Sequence, residues 1–224
     1  MPKYYFLSHK IEKTMPSYGK KEIFLDTTQE KSISKGDSCN ISSARISSHL
    51  GTHVDCPCHF FKNGKGVSDY PAGYWVFKHP FALKSDLAED EVAGKELFFS
   101  VPQETDIVLL KSGFQRFRGK RKYNFNNPGV SAQAAFWLRA NRPNIRVLGV
   151  DFISISPFAH RETGRQAHKA FLDPKGENLP ILLLEDMDLQ KADRRLVSVQ
   201  VFPLRVSAWD SAPCTAVGEI KDSN

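Results

Sequence analysis

The segment Ser48-His49-Leu50-Gly51-Thr52-His53-Val54-Asp55-Cys56-Pro57-Cys58-His59 gathers three of the chain's seven histidines and an aspartate into one short stretch. Imidazole nitrogens beside a carboxylate are the donor set of a zinc site, or of a manganese site if more oxygens join. Two histidines four residues apart would share a face on a helix. Gly51, the β-branched Thr52 and Val54, and Pro57 all oppose a helix here. In extended chain, positions 49, 51, 53 and 55 share a face instead. A straight strand would hold the Cα atoms of His49 and His53 about 13 Å apart, near the limit for one shared ion. A bend at Gly51 is therefore expected, where glycine makes the distortion cheap. Asp55 has two oxygens and can bridge two ions. His59 follows the break at Pro57, as a further ligand or as a free acid or base.

A second candidate is Glu185, which closes the apolar run Ile181-Leu182-Leu183-Leu184. A carboxylate at the end of a buried strand needs a partner, and a metal is a good one. The nearby Asp186 and Asp188 read as strand-end surface acids.

The pattern around the motif resembles that of the cyclase-like metal-dependent hydrolases, a family that includes bacterial kynurenine formamidase and isatin hydrolase. HLGTHVDCPCH matches the signature H-x-G-[TA]-H-x-D-x-P-x-H. LGVDFISIS resembles the family's central strand and loop, and GRQAHKAFL followed by ILLLEDMDL resembles its downstream histidine and glutamate. The resemblance implies that His49, His53 and a bridging Asp55 bind metal, that His168 and a bridging Glu185 complete the site, and that His59 carries protons. His160 competes for the place of His168. The order Ala-His-Lys-Ala-Phe-Leu favours His168, and the stretch Asp173–Asn178 reads as a turn insertion that lengthens the gap to Glu185. Kynurenine formamidases carry a tryptophan where this chain reads Met15-Pro16-Ser17-Tyr18-Gly19. Tyr18 can still stack an aromatic substrate, and some of Phe60, Phe61 and Trp75 are expected beside it.

The implied activity is hydrolysis of an amide by a metal-activated water. An aryl formamide such as N-formylkynurenine is the leading substrate and a cyclic amide such as isatin the second. The implied cofactor is one or two divalent ions, Zn²⁺ or Mn²⁺. The implied assembly is a homo-oligomer, dimer or tetramer, and the implied setting tryptophan catabolism. A structural metal-binding protein on the same fold is the non-enzyme alternative.

The elements must bring these distant residues together. The chain has 224 residues, 41% hydrophobic and 25% charged, the balance of a globular domain. We expect one domain over 1–224, an α+β (mixed α/β) fold with a mixed β-sheet core and a few helices. The resemblance makes it swivelling β/β/α-like. Short apolar runs place strands at Ile107–Leu110, Ile145–Val150 and Ile181–Leu184, buried on both faces. Trp75–Leu83 and Leu196–Val206 are further strands, with Pro203 marking an edge or bulge. Ile41–Asp55 reads as one extended piece, Phe24-Leu25 as a short strand and Gln29–Asn40 as a polar loop. Ser131 caps a helix to Asn141, stopped by Pro143, and a second helix is expected at Gln166–Leu172.

Cys39, Cys56, Cys58 and Cys214 form no C-x-x-C pair. If Cys56 and Cys58 lie on a strand, they face away from the ligands. The net charge of +6 concentrates in Arg116–Lys122, RFRGKRK. With no nucleic-acid motif beside it, this run reads as a solvated loop, so no nucleic-acid partner is expected. No stretch reaches the roughly 20 apolar residues of a membrane helix, and no secretory core opens the chain, so a cytoplasmic protein without a membrane partner is expected.

Overall fold

A computed structural model describes residues 2–20 and 25–221. Its strands are β1 (Lys3–Phe6), β2 (Leu25–Lys31), β3 (Ile41–Ile46), β4 (His53–Asp55), β5 (Val76–Phe77), β6 (Pro80–Lys84), β7 (Val92–Ala93), β8 (Ile107–Lys111), β9 (Gly129–Val130), β10 (Val147–Val150), β11 (Leu182–Glu185), β12 (Leu196–Pro203) and β13 (Ser211–Ile220). The helices are α1 (Arg121–Phe125), α2 (Ala132–Asn141) and α3 (Arg161–Leu172).

One large mixed sheet forms the core, in the order β5-β12-β13-β4-β11-β10-β8-β6, with β1 also on β13. Strands β6, β8, β10 and β11 run parallel. The apolar runs of β8, β10 and β11 are almost wholly buried, as strands covered on both faces must be. The expected α/β class with a mixed sheet is what the chain adopts.

β4 is short but central. It lies antiparallel between β11 and β13, with His53 opposite Glu185 and Asp55 opposite Ser211. Side chains directly opposite on one face stand about 5 Å apart. This register, rather than sequence proximity, joins Glu185 to the histidine motif.

α2 begins as expected: the Ser131 hydroxyl accepts from the Ala134 amide at 3.2 Å. α3 starts five residues earlier than expected, at Arg161, and ends before Pro174.

Several expectations need correction. Ile41–Asp55 is not one strand: β3 pairs with β2 in a separate exposed ribbon, and the chain turns before β4. The ribbon takes in Gln29–Lys31, expected to be loop. Leu25 opens β2, while Phe24 lies outside the described residues. Trp75–Leu83 breaks at Lys78-His79, with Trp75 ending a 3₁₀ turn. Cys56 and Cys58 lie beyond β4, and Cys58 stands in a 3₁₀ turn, so neither shares a strand face. β12 stops at Pro203.

Candidate metal centre

The bend expected at Gly51 is present, with φ of +61°. A side chain there would also run into Met15. The turn lifts His49 off the strand and folds it back, so His49 does not share an extended face with His53. It nevertheless reaches the same carboxylate, with His49 Nδ1 3.1 Å and His53 Nε2 3.5 Å from Asp55 Oδ1. His53 Nε2 is also 3.6 Å from Glu185 Oε2.

His168 enters from α3. Its Nε2 stands 3.3 Å from Glu185 Oε1 and 3.6 Å from Asp55 Oδ2. His160 is exposed at the start of that helix and lies outside the cluster. The Asp173–Asn178 stretch does form a turn between α3 and β11.

Backbone carbonyls settle which ring nitrogens face inward. His53 Nδ1 is 2.7 Å from the Gly51 carbonyl and His168 Nδ1 is 3.0 Å from that of Gly164. A carbonyl only accepts, so in the neutral ring each Nδ1 keeps the proton and each Nε2 offers its lone pair toward the carboxylates, where a cation or a second proton can take it. Glu185 Oε1 accepts from Ser154 Oγ at 3.0 Å and the Ile155 amide at 2.8 Å. Asp55 Oδ1 is buried and meets only the imidazoles of His49 and His53. The Nε2 atoms of two imidazoles thus converge with two carboxylates around one point.

The electrostatics agree. Burial disfavours a charged His49, but Asp55 and Asp210 outweigh it and raise its pKa to about 10. His168 is raised likewise to about 10 against its burial, by Asp55 and Glu185. Asp55, although buried, is held well below the usual carboxylate range, chiefly by His49 and His168. Without a metal, the cluster attracts protons to supply positive charge. The residues therefore fit a divalent cation: His49, Asp55 and His59 form one group of ligand atoms lying within 4.8 Å of one another, and His53, Asp55 and Glu185 form a second. Asp55 belongs to both.

Asp210 is the residue that sequence reasoning missed. It immediately precedes β13, which pairs with β4, and its Oδ2 receives His59 Nδ1 at 2.8 Å and His49 Nε2 at 3.1 Å. These contacts lower its pKa despite partial burial. Ser154 is the other omission, and its one signal was its place in LGVDFISIS.

Asp186 corrects a second expectation. It is not a surface acid but fully buried. It accepts from Arg118 Nε at 2.9 Å, Arg118 Nη2 at 2.8 Å and the Tyr123 hydroxyl at 2.5 Å. The basic run Arg116–Lys122 is thus no plain solvated loop: Arg118 is drawn inward, and Lys122 pairs with Glu89 at 2.6 Å.

A cavity of about 460 Å³ opens above the cluster, lined among others by Tyr18, Phe60 and Ile153. Phe61 and Trp75 are not part of its lining: Trp75 is 5% exposed and packs in the core, with Phe61 against it.

The Cyclase family model matches residues 5–157. The chain belongs to the Cyclase family. Cyclase-like protein 1 of Arabidopsis thaliana is 27% identical over 223 residues, covering 96% of this chain and 84% of that protein. Kynurenine formamidase of Bacillus cytotoxicus is 27% identical over 180 residues, 80% of each chain. The solved structure of isatin hydrolase A from Labrenzia aggregata, bound to benzyl benzoate, shares the fold with a TM-score of 0.82 at 17% identity, covering 99% of this chain and 94% of that one.

Proposed function

We propose that this Cyclase-family chain is a metal-dependent hydrolase that cleaves an amide, with aryl formamides such as N-formylkynurenine as the leading substrates. The observation that carries the reading is the set of inward lone pairs on His53, His168, Asp55 and Glu185 beneath an open cavity. Kinship with a kynurenine formamidase supports the substrate class.

His49, His53, Asp55, His168 and Glu185 would hold the metal in this reading, with Asp55 and Glu185 the ligands that two ions would share. Nitrogen-rich ligands favour Zn²⁺, with Mn²⁺ the alternative. When bound, such an ion lowers the pKa of a coordinated water to about 7 and polarises the scissile carbonyl.

His59 does the proton work. Asp210 holds its Nδ1, which fixes the ring and leaves Nε2 for the cavity that His59 lines. His59 takes the proton that the attacking water sheds. The water oxygen bonds to the carbonyl carbon, the C–N bond breaks, and His59 returns the proton to the departing nitrogen. Asp210 steadies the charged imidazole meanwhile. Tyr18, on the wall, stacks the aromatic part of the substrate.

A cyclic amide of the isatin type is the second substrate reading, favoured by the aromatic pair Tyr18 and Phe60 on the lining. A purely structural metal site would not need the open cavity. A homo-oligomer, dimer or tetramer, is supported by exposed Tyr4, Phe6 and Phe202 on β1 and β12. No helix among the described residues is long and apolar enough to cross a membrane.

Zinc- and manganese-loaded protein should be screened against formanilides, isatins and cyclic imides. We expect formanilide turnover that a chelator abolishes and added metal restores. Metal-loaded protein that turns over none of these classes would overturn the proposal.

A further inference from the structure

The metal ligands account for the floor of the cavity but not for its mouth. Arg161 and Arg165 line the same cavity as His49, His59 and Glu185. Both stand on α3, seven and three residues before His168. That spacing puts all three on one helical face. The helix that delivers a ligand to the floor therefore presents two guanidinium groups to the same space.

Other arginines here are consumed by structure. Arg139 is buried and donates to the carbonyls of Ala170, Asp173, Glu177 and Asn178. Arg118 is spent on Asp186. Arg161 and Arg165 are exposed instead. The Arg161 guanidinium lies 4.0 Å from the centre of the Phe158 ring and 5.9 Å from that of Tyr18. Those two rings meet edge to face at 5.4 Å and form a shelf beneath it. A guanidinium resting on aromatic faces keeps its in-plane N–H groups for a planar anion. Arg165 touches Glu162 at 3.2 Å, but both side chains are more than half exposed. Such a pair is worth little in water and exchanges readily for another anion. The carboxylates lining the cavity, Asp55 and Glu185, are already engaged by imidazoles on the floor.

We propose that the site takes substrates bearing a carboxylate away from the scissile bond, gripped by Arg161 with Arg165 beside it. The identity of the scissile bond rests on the hydrolase reading above, whereas the grip is testable without turnover.

Calorimetry on zinc-loaded protein should compare benzoate with benzamide, its uncharged isostere. Kinetics should compare a ring-carboxylated formanilide with formanilide itself. Benzoate should bind at least about 10-fold more tightly than benzamide, the usual worth of a charged hydrogen-bonded pair. Arg161→Glu should erase that preference and lower the kcat/KM ratio of charged over uncharged formanilide about 10-fold or more. Arg161→Lys should keep part of the preference, which separates charge from fold damage. No preference in the wild-type protein would overturn the proposal. So would a preference undiminished in both Arg161→Glu and Arg165→Glu, since the metal would then be holding the anion. An arginine-dependent preference for benzoate in protein that cleaves no formanilide would sustain the grip and sink the hydrolase reading.

Discussion

Two buried acidic clusters lie back to back at the end of β11. Asp186 heads one, where Arg118 and Tyr123 supply three donors to its carboxylate. Glu185 heads the other, with Asp55, where two of the surrounding imidazoles turn lone pairs rather than protons inward. The two residues are neighbours, but the strand ends between them, where Asp186 turns into the left-handed region with φ of +51°. One cluster is completed by the protein itself. The other, in the proposed reading, is completed by a cation from outside. Burial and charge are alike in both, so what marks the functional one is the unmet demand for positive charge.

That contrast is open to attack from both sides. The largest effect on folding is expected at the completed cluster. Arg118→Met leaves Asp186 buried without its cation, and urea denaturation should show a loss of about 3–5 kcal/mol. A loss below about 1 kcal/mol would mean that the pair is not structural.

At the incomplete cluster the metal should supply the stabilisation. A metal at about 1,000 times its Kd should raise the stability of the wild-type chain by about 4 kcal/mol. Glu185→Gln should lose most of that gain, measured against its own metal-free form. Thermal melts with and without zinc test this, and equal gains in both proteins would break the contrast.

Asp210 touches two histidines without itself belonging to either ligand group. Asp210→Asn should lower kcat about 10–100-fold, the range for partners that orient a site's imidazoles. A kcat within twofold of wild type would remove Asp210 from the site. Smaller still is the effect at the wall. Tyr18→Ala should raise KM for an aromatic formamide about fivefold, and less for an aliphatic one, as loss of a ring contact implies. Equal rises on both substrates would argue against stacking.

The parts of this architecture legible in sequence were those written locally. The strands of IVLL, VLGV and LLLE announce themselves because burial on both faces leaves only apolar residues. Gly51 announces its bend because the histidine spacing fails without one. β13, the longest strand, did not: SAPCTAVGEI mixes small and polar residues with Pro213 and Gly218, and its partners β1, β4 and β12 hold it extended. The β2–β3 ribbon was legible only in part: Ile41–Ile46 and Leu25 read as extended, but Gln29–Lys31 read as loop because the strands are nearly all exposed and carry no apolar alternation. Asp210 lies 151 residues from His59, and only the β4–β13 register brings it near. Asp186 was misjudged for a similar reason. Its cation, 68 residues away, sits in a basic run that looks like surface.

The most direct test of the metal centre pairs His53→Ala with His59→Ala, measuring bound metal and kcat on each. Wild-type protein purified without chelators should hold at least about 0.5 divalent ion per chain, given the tight binding usual for such sites. His53→Ala should lose metal and activity together. His59→Ala should keep most of its metal and lose about 10²–10⁴-fold in kcat, the usual worth of a positioned acid or base. Metal retained in full by His53→Ala, or wild-type protein that binds no divalent ion, would contradict the account.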